Sequence, residues 1–130
     1  YFLLCSLEVL DDEGNFKRKA DMFSKRTIRQ KINGEEVQTQ DKLWVPSFTE
    51  MFGADAAAEW APGDLGDEQF ELFDSERSRV KEVPGRGTWW YWLRPPSASN
   101  STNFCLVYSD GNANNYSASN AFGVAFGFCL

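Results

Sequence analysis

The sequence predicts an α+β domain with two helices and a small antiparallel β-sheet. Residues 16–32 are rich in Lys and Arg and carry apolar residues on one side, which is typical of a solvated amphipathic helix. Ser47 and Glu50 have the spacing of a capping box, which predicts a second, brief helix ending near Gly53. The segments after Trp89 are short, apolar and aromatic, which favours strands.

Shorter elements and turns connect these pieces. The first ten residues are apolar and partly alternating, which predicts a strand. The others are, in chain order, a turn over residues 11–14, a helix stop at Asn33-Gly34, an extended segment over residues 43–45, a strand or a helical turn over residues 69–73, and a turn over residues 84–87.

The second half is predicted to be almost entirely β. Its expected elements are a strand over residues 89–93, a strand over residues 104–108, a hairpin turn at Asp110-Gly111, and a terminal strand over residues 123–130. The two-residue period places Cys105 and Val107 on the core face and Phe104, Leu106 and Tyr108 on the outer face. In the preceding strand, we expect Trp90 and Trp92 to be buried and Tyr91 to be exposed; an aromatic platform for ligand stacking is the alternative.

Charge and composition exclude several classes of function. The formal net charge of -6 disfavours binding to a phosphate backbone, so no nucleic-acid partner is expected. The chain has no His, which removes Ser-His triads, Cys-His dyads and His-ligated metals. No apolar stretch approaches the ~20 residues that span a bilayer, so no direct membrane insertion is expected. We expect no catalytic residue, no cofactor and no metal.

The charges are concentrated in the first part of the chain. Residues 1–88 carry 12 basic and 18 acidic side chains, whereas residues 89–130 carry only Arg94 and Asp110. The later segment nevertheless holds ten aromatic residues, which a flexible linker would lack. The sequence therefore predicts a folded, nearly uncharged second half.

Three cysteines, Cys5, Cys105 and Cys129, lack the CxxC spacing of a metal site. A Cys105–Cys129 bridge and two buried free thiols are both compatible with the sequence. Asp110 and the asparagines after it match only the opening of a calcium loop, since its later Gly and Glu are missing. The alternating charges from Glu76 to Lys81 favour a salt-bridged surface over an anion site.

Three segments of the second half carry a resemblance to a known family. They are WYWLRPP at residues 90–96, NFCLVYSDG at 103–111 and GVAFGFCL at 123–130. Together they resemble the variable region of diversity-generating retroelement variable proteins, which have a C-type-lectin-like fold of the formylglycine-generating-enzyme subgroup. Residues 43–53 and 69–73 resemble the scaffold half. The resemblance implies one C-type-lectin-like domain over residues 1–130, with residues 1–88 as scaffold and 89–130 as the variable, ligand-binding half.

The resemblance further implies that adenines of the coding template are replaced at random, mainly in Asn codons. Such replacement never yields Lys, Glu, Gln, Met or Trp, and residues 93–130 contain none of these. Tyr, Ser and Asn side chains also provide the contact chemistry of antibody loops. The ligand-binding residues expected on this basis are Tyr91, Ser97, Leu106, Tyr108, Asn114, Asn115, Tyr116, Ser117, Asn120, Ala121 and Phe122.

The expected function is noncovalent ligand or receptor binding through a diversified C-terminal face. The partner would be a protein or glycan on a target cell surface, with multivalent display on a phage tail fibre or a bacterial cell surface. Two alternatives remain at this point. One is a small formylglycine-generating-enzyme-like oxidase that uses Cys105 and Cys129. The other is a calcium-dependent glycan-binding lectin, although the sugar-binding triplets of that family are absent.

Overall fold

The computed structural model describes residues 2–3, 13 and 23–129, and these form an α+β fold of small sheets and short helices. The elements are β1 Phe2–Leu3, β2 Arg26–Ile32, β3 Glu35–Asp41, β4 Leu43–Trp44, α1 Phe48–Phe52, α2 Ala54–Trp60, a 3-10 turn Glu71–Phe73, α3 Glu76–Arg79, β5 Glu82–Val83, β6 Gly87–Thr88, β7 Tyr91–Pro96, β8 Asn103–Val107, β9 Ala113–Ser117, β10 Gly123–Val124 and β11 Phe126–Phe128. The predicted α+β class is confirmed. No helix among these residues has the length and apolar character needed to cross a membrane.

The predicted long helix is wrong where the structure describes it. Residues 26–32 form strand β2, which pairs antiparallel with β3 in a hairpin. The turn is Asn33-Gly34, with φ angles of 52° and 85°, and two positive φ angles are what a two-residue hairpin turn requires. Residues 16–22 of that prediction, and the first strand beyond β1, lie outside the described residues.

The predicted capping box is confirmed at the start of α1. The Glu50 backbone N–H donates to Ser47 Oγ at 3.0 Å, and the Ser47 backbone N–H donates to Glu50 Oε2 at 2.8 Å. Gly53, with a φ of 89°, ends the helix as expected, but α2 follows it at once and was not predicted.

Glu50 also joins the hairpin to α1. Its carboxylate is only 1% exposed and accepts a hydrogen bond from Arg26 Nη2 at 2.7 Å. The same nitrogen of Arg26 donates to Asp67 at 2.8 Å. A buried carboxylate needs such a partner, so this contact fixes the base of the hairpin on the helix.

The central sheet has four strands in the order β10-β7-β8-β9. Neighbours are antiparallel except for β10, which runs parallel to β7. The predicted terminal strand is therefore two strands, since β11 leaves this sheet and pairs with β1 and β4. Ala125, at the break between them, is 1% exposed and belongs to the core.

Most of the remaining short elements agree with the predictions from the sequence. Strand β4 confirms the extended segment, and the 3-10 turn decides residues 69–73 in favour of the helical alternative. The turn over residues 84–87 joins β5 to β6, and the Asp110-Gly111 turn joins β8 to β9. Strand β7 begins at Tyr91 rather than at Trp89.

The core lies between the helices and the inner face of the four-stranded sheet. Its buried members are Phe48, Met51, Ala57, Ala61, Phe73, Tyr91, Leu93, Cys105, Val107 and Ala125. A smaller cluster lies under the hairpin and consists of Phe23, Ile28, Trp44 and Phe128. The opposite face of the four-stranded sheet therefore remains available for function.

Candidate functional site

The side chains of strand β8 point alternately to the buried face and to the outer face of the sheet. Cys105 and Val107 are 0% exposed and belong to the core, as predicted from the two-residue period. Phe104 is 39% exposed and Tyr108 is partly exposed, so both face outward as predicted. Leu106 shares their face but is 0% exposed, so its predicted role as an exposed ligand contact is wrong.

Five aromatic residues form a connected cluster on the outer face. Trp90 is at its centre, with ring centroids 4.3 Å from Tyr108, 4.8 Å from Phe122 and 5.2 Å from Tyr116. Trp92 lies 5.1 Å from Phe122, which meets Tyr116 edge-on at 5.7 Å. We call this set (Trp90, Trp92, Tyr108, Tyr116 and Phe122) the aromatic face.

The aromatic face is partly exposed and uncharged. Tyr116 is 42% exposed, and the other four members have intermediate exposure. Strand pairing places Leu106 between Trp92 and Asn114 across the sheet. Because Leu106 is completely buried on the outward side, we infer that the rings cover it and that it supports them from below. The face is thus a packed surface with one side still open to solvent.

Tyr91 was predicted to be an exposed ligand contact, and this prediction is wrong. It is 0% exposed, and its hydroxyl donates a hydrogen bond to the carbonyl oxygen of Arg79. Burial raises the pKa of the phenol. The alternation in β7 has the opposite phase to the one predicted: Tyr91 points into the core, whereas Trp90 and Trp92 point outward. A buried Tyr needs an acceptor, and Arg79 supplies it.

Ser97 and Asn115 lie apart from the aromatic face, in an open groove of about 410 Å³. Ser97 is only 9% exposed, and Asn115 has intermediate exposure. Asn115 alternates along β9 with Asn114 and Tyr116, and its side chain accepts a hydrogen bond from Asn103 Nδ2 at 2.7 Å. These two predicted residues therefore belong to a different surface.

The other predicted polar residues lie in β9 or in the turn that leads from β9 to the aromatic face. The Ser117 and Ser119 hydroxyls are 3.0 Å apart, and Asn120 Nδ2 donates to the Ser117 carbonyl at 3.1 Å. Ala121 is exposed beside Phe122. Asn114 lies on β9, where its Oδ1 accepts the backbone N–H of Asn115 at 2.8 Å. Their roles in ligand binding stay predictions.

Arg79 is the positioning residue that the sequence did not reveal. It is 8% exposed, although the alternating charges around it predicted a salt-bridged surface. Its Nε donates to the Gly111 carbonyl at 2.9 Å, its Nη1 donates to the Phe73 carbonyl at 2.8 Å, and its guanidinium lies 4.5 Å from the Phe52 ring centroid. Nothing in the local sequence distinguishes it from Arg77. The contact fixes the β8–β9 turn to the scaffold.

Cys105 has a buried environment that does not favour a reactive thiol. Cys105 and Cys129 are both free thiols rather than partners in a bridge, and Cys5 lies outside the described residues. Burial, and then the charge of Asp64, raise the pKa of Cys105 to about 12. A reactive thiol needs the opposite shift, toward a low pKa.

Two observations concern the metal sites considered from the sequence. Within the described part of the chain, no group of three or more His, Cys, Asp or Glu side chains is placed to hold a metal ion. In the segment compared with a calcium loop, Asp110 accepts the Asn112 backbone N–H at 2.9 Å, which lowers the pKa of its carboxyl. That bond is a local turn contact.

The comparisons with known proteins give one match. The model of a family described as a domain of unknown function, DUF6273, matches residues 2–130. No curated protein and no solved structure matches the chain.

Proposed function

The chain belongs to the DUF6273 family, and we propose that it is a noncovalent binding protein whose aromatic face recognises a receptor on a target cell. The observation that carries this proposal is the partly exposed, uncharged cluster around Trp90. Such a patch, next to polar residues, is typical of a recognition surface. We propose no catalytic role for it.

The aromatic face is rigid enough to act as a preformed binding surface. Leu106 supports it from below, and Arg79 fixes the β8–β9 turn that follows Tyr108. Aromatic side chains lose little conformational entropy on binding, because each has only two rotatable torsions. Binding would then cost little free energy for ordering the site, so more of the contact energy would appear as affinity.

Diversification by a retroelement is the finer part of the proposal. Of the residues expected to vary, Tyr108, Tyr116 and Phe122 lie in the aromatic face, Ser117 ends strand β9, and Asn120 and Ala121 lie in the adjoining turn. The observed α+β class is compatible with the proposed C-type-lectin-like fold. Display in several copies on a phage tail fibre or a bacterial cell surface would multiply a modest affinity per site.

The coding DNA tests diversification directly. We expect a near-copy of the segment that encodes residues 89–130 close to the gene, with adenines at the codons that differ, and a reverse transcriptase gene beside it. Deep sequencing of a population should then find substitutions concentrated at the codons of the proposed variable residues. A single-copy gene without a repeat would contradict diversification, but not binding.

Binding by the aromatic face has a separate test. Ligands are selected against the protein from a phage-displayed peptide library and from an array of neutral oligosaccharides. We expect the selected ligands to bind Tyr116→Ala and Phe122→Ala at least about tenfold more weakly, as central aromatic contacts often do. Leu72→Ala is the control, because Leu72 is 61% exposed and lies in the 3-10 turn. Ligands that bind all three variants alike would overturn the proposal.

A further inference from the structure

We propose that the groove beside β9 binds a basic side chain, such as that of Arg or Lys, from a protein or peptide partner. The groove of about 410 Å³ is lined by Glu59, Trp60, Ser97, Ala98, Ser99 and Asn115. It lies on the Asn115 side of β9, whereas the aromatic face lies on the Tyr116 side. It is therefore a second site, and its test does not depend on the proposed function of the aromatic face.

The charge of the groove favours a cation. Among the described residues that line it, Glu59 is the only one with an ionisable side chain. The Glu59 carboxylate is exposed, and among the described residues it makes no ion pair or hydrogen bond. The chain as a whole carries a net charge of -6, which also attracts positively charged groups. An incoming ammonium or guanidinium would therefore find an unpaired carboxylate.

Trp60 supplies the second element of recognition. Its indole is nearly parallel to the Phe48 ring, at 15° and 6.1 Å between centroids, and Phe48 is completely buried. The indole is thus held in place from the core side, while Trp60 keeps intermediate exposure and lines the groove together with Glu59. A cation over an indole gains a further attraction from the ring quadrupole.

Polar groups on the other wall can accept or donate further hydrogen bonds. The hydroxyls of Ser97 and Ser99 lie 3.0 Å apart, and the Ala98 backbone N–H donates to the Trp60 carbonyl at 2.9 Å. These contacts hold the wall against the end of α2. Asn115 Oδ1 is engaged by Asn103, so the amide is oriented before any ligand arrives. The groove is therefore preformed for a guanidinium or an ammonium.

The experiment compares a cation with its neutral analogue. N-acetyl-L-arginine amide and N-acetyl-L-citrulline amide are titrated into ¹⁵N-labelled protein while the indole N–H signal of Trp60 is followed by NMR. We expect saturable shifts with the arginine probe and an affinity about fivefold to tenfold lower for the citrulline probe, from one exposed ion pair and one cation–π contact. Glu59→Gln should lower the arginine affinity by about twofold to fivefold, toward that of citrulline, because it removes the ion pair and leaves the cation–π contact with Trp60.

Glu68→Gln is the matched control, because it removes the same charge from an exposed carboxylate that lines a different groove. It should leave the arginine affinity unchanged. Equal affinities for the two probes, an equal loss in both variants, or no saturable shift of Trp60 would overturn the proposal. Maltose that shifts Trp60 equally in wild type and Glu59→Gln, without an arginine effect, would assign the groove to a neutral sugar instead. Tyr116→Ala leaves all these outcomes unaffected.

Discussion

Tyr91 decides which side of strand β7 is the core. The run from Trp89 to Trp92 consists of four aromatic residues, so hydrophobicity alone does not indicate which of them points inward. The difference is the Tyr91 hydroxyl, which reaches the Arg79 carbonyl inside the protein. Only the folded position of Arg79 provides that acceptor, and the position is not visible in the sequence around Tyr91.

Replacing Tyr91 with Phe should destabilise the protein by about 1–2 kcal/mol, because the Arg79 carbonyl would lose its buried donor. The measurement is the free energy of unfolding in urea. Tyr116→Phe is the control: Tyr116 is 42% exposed and its hydroxyl has no hydrogen-bond partner among the described residues, so we expect a change within about 0.5 kcal/mol. Equal effects of the two variants would contradict the role of the Tyr91 hydroxyl.

Residues whose partners are close in sequence were predictable, and those with distant partners were not. Ser47 and Glu50 are three residues apart, so the capping box was evident from the sequence and is confirmed. Leu106 was predicted to be exposed from the period of its own strand. We attribute its burial to the rings of the aromatic face, some of which come from other segments such as β7, and a single strand does not reveal them.

At the scale of elements, the β2–β3 hairpin shows why the long helix was wrong. Arg29 and Lys31 of β2 lie on an exposed strand face, which resembles the polar side of a helix over a short segment. Asn33-Gly34 is a strong signal for a two-residue hairpin and was interpreted instead as a helix stop. Strand β9 was missed because its sequence, ANNYS, has low β-propensity.

The β8–β9 hairpin depends on the absence of a side chain at Gly111. Its φ is 90°, and a Cβ there would overlap the carbonyl oxygen of Glu76 in α3. Gly111→Ala should therefore destabilise the protein by about 2–4 kcal/mol, as the sum of backbone strain and steric overlap. Urea unfolding measures the loss, and the NMR signals of Tyr108 and Trp90 should shift with the displaced turn.

Gly85→Ala separates these two contributions. Gly85 has a φ of 78°, but nothing lies within 4 Å of the position of an added Cβ. This variant therefore carries only the backbone strain, and we expect a loss of about 1 kcal/mol without any shift of Tyr108 or Trp90. If both variants lost the same stability, steric overlap with the Glu76 carbonyl would not contribute to the requirement for glycine at position 111.

At the scale of the whole molecule, charge is separated from the proposed recognition surface. Ion pairs such as Arg26–Glu50 and Arg29–Glu36 lie in residues 1–88, and the aromatic face in residues 89–130 has no ionisable group except its Tyr phenols. This separation was predictable from composition. The composition did not predict which face of the sheet is open to solvent, because this depends on how the helices cover the inner face.

Ionisable groups in the core determine how the stability of the protein changes at alkaline pH. The pKa of Cys105 is raised to about 12, whereas an unfolded thiol has an ordinary pKa near ~8.5. Between these values the unfolded chain releases a proton that the folded protein keeps, so stability falls as pH rises. The pKa of Tyr91 is also raised, so this phenol makes stability fall further as pH rises. Burial lowers the pKa of Lys81, so this amine makes stability rise with pH instead.

A cysteine variant isolates the contribution of Cys105 from these other groups. Cys105→Ala should be less stable at pH 7, yet between pH 9 and pH 11 the wild type should lose up to about 1.4 kcal/mol per pH unit more than the variant. Urea unfolding under reducing conditions across this range measures the difference. Parallel profiles for wild type and Cys105→Ala would mean that the Cys105 thiol ionises as freely in the folded core as in the unfolded chain.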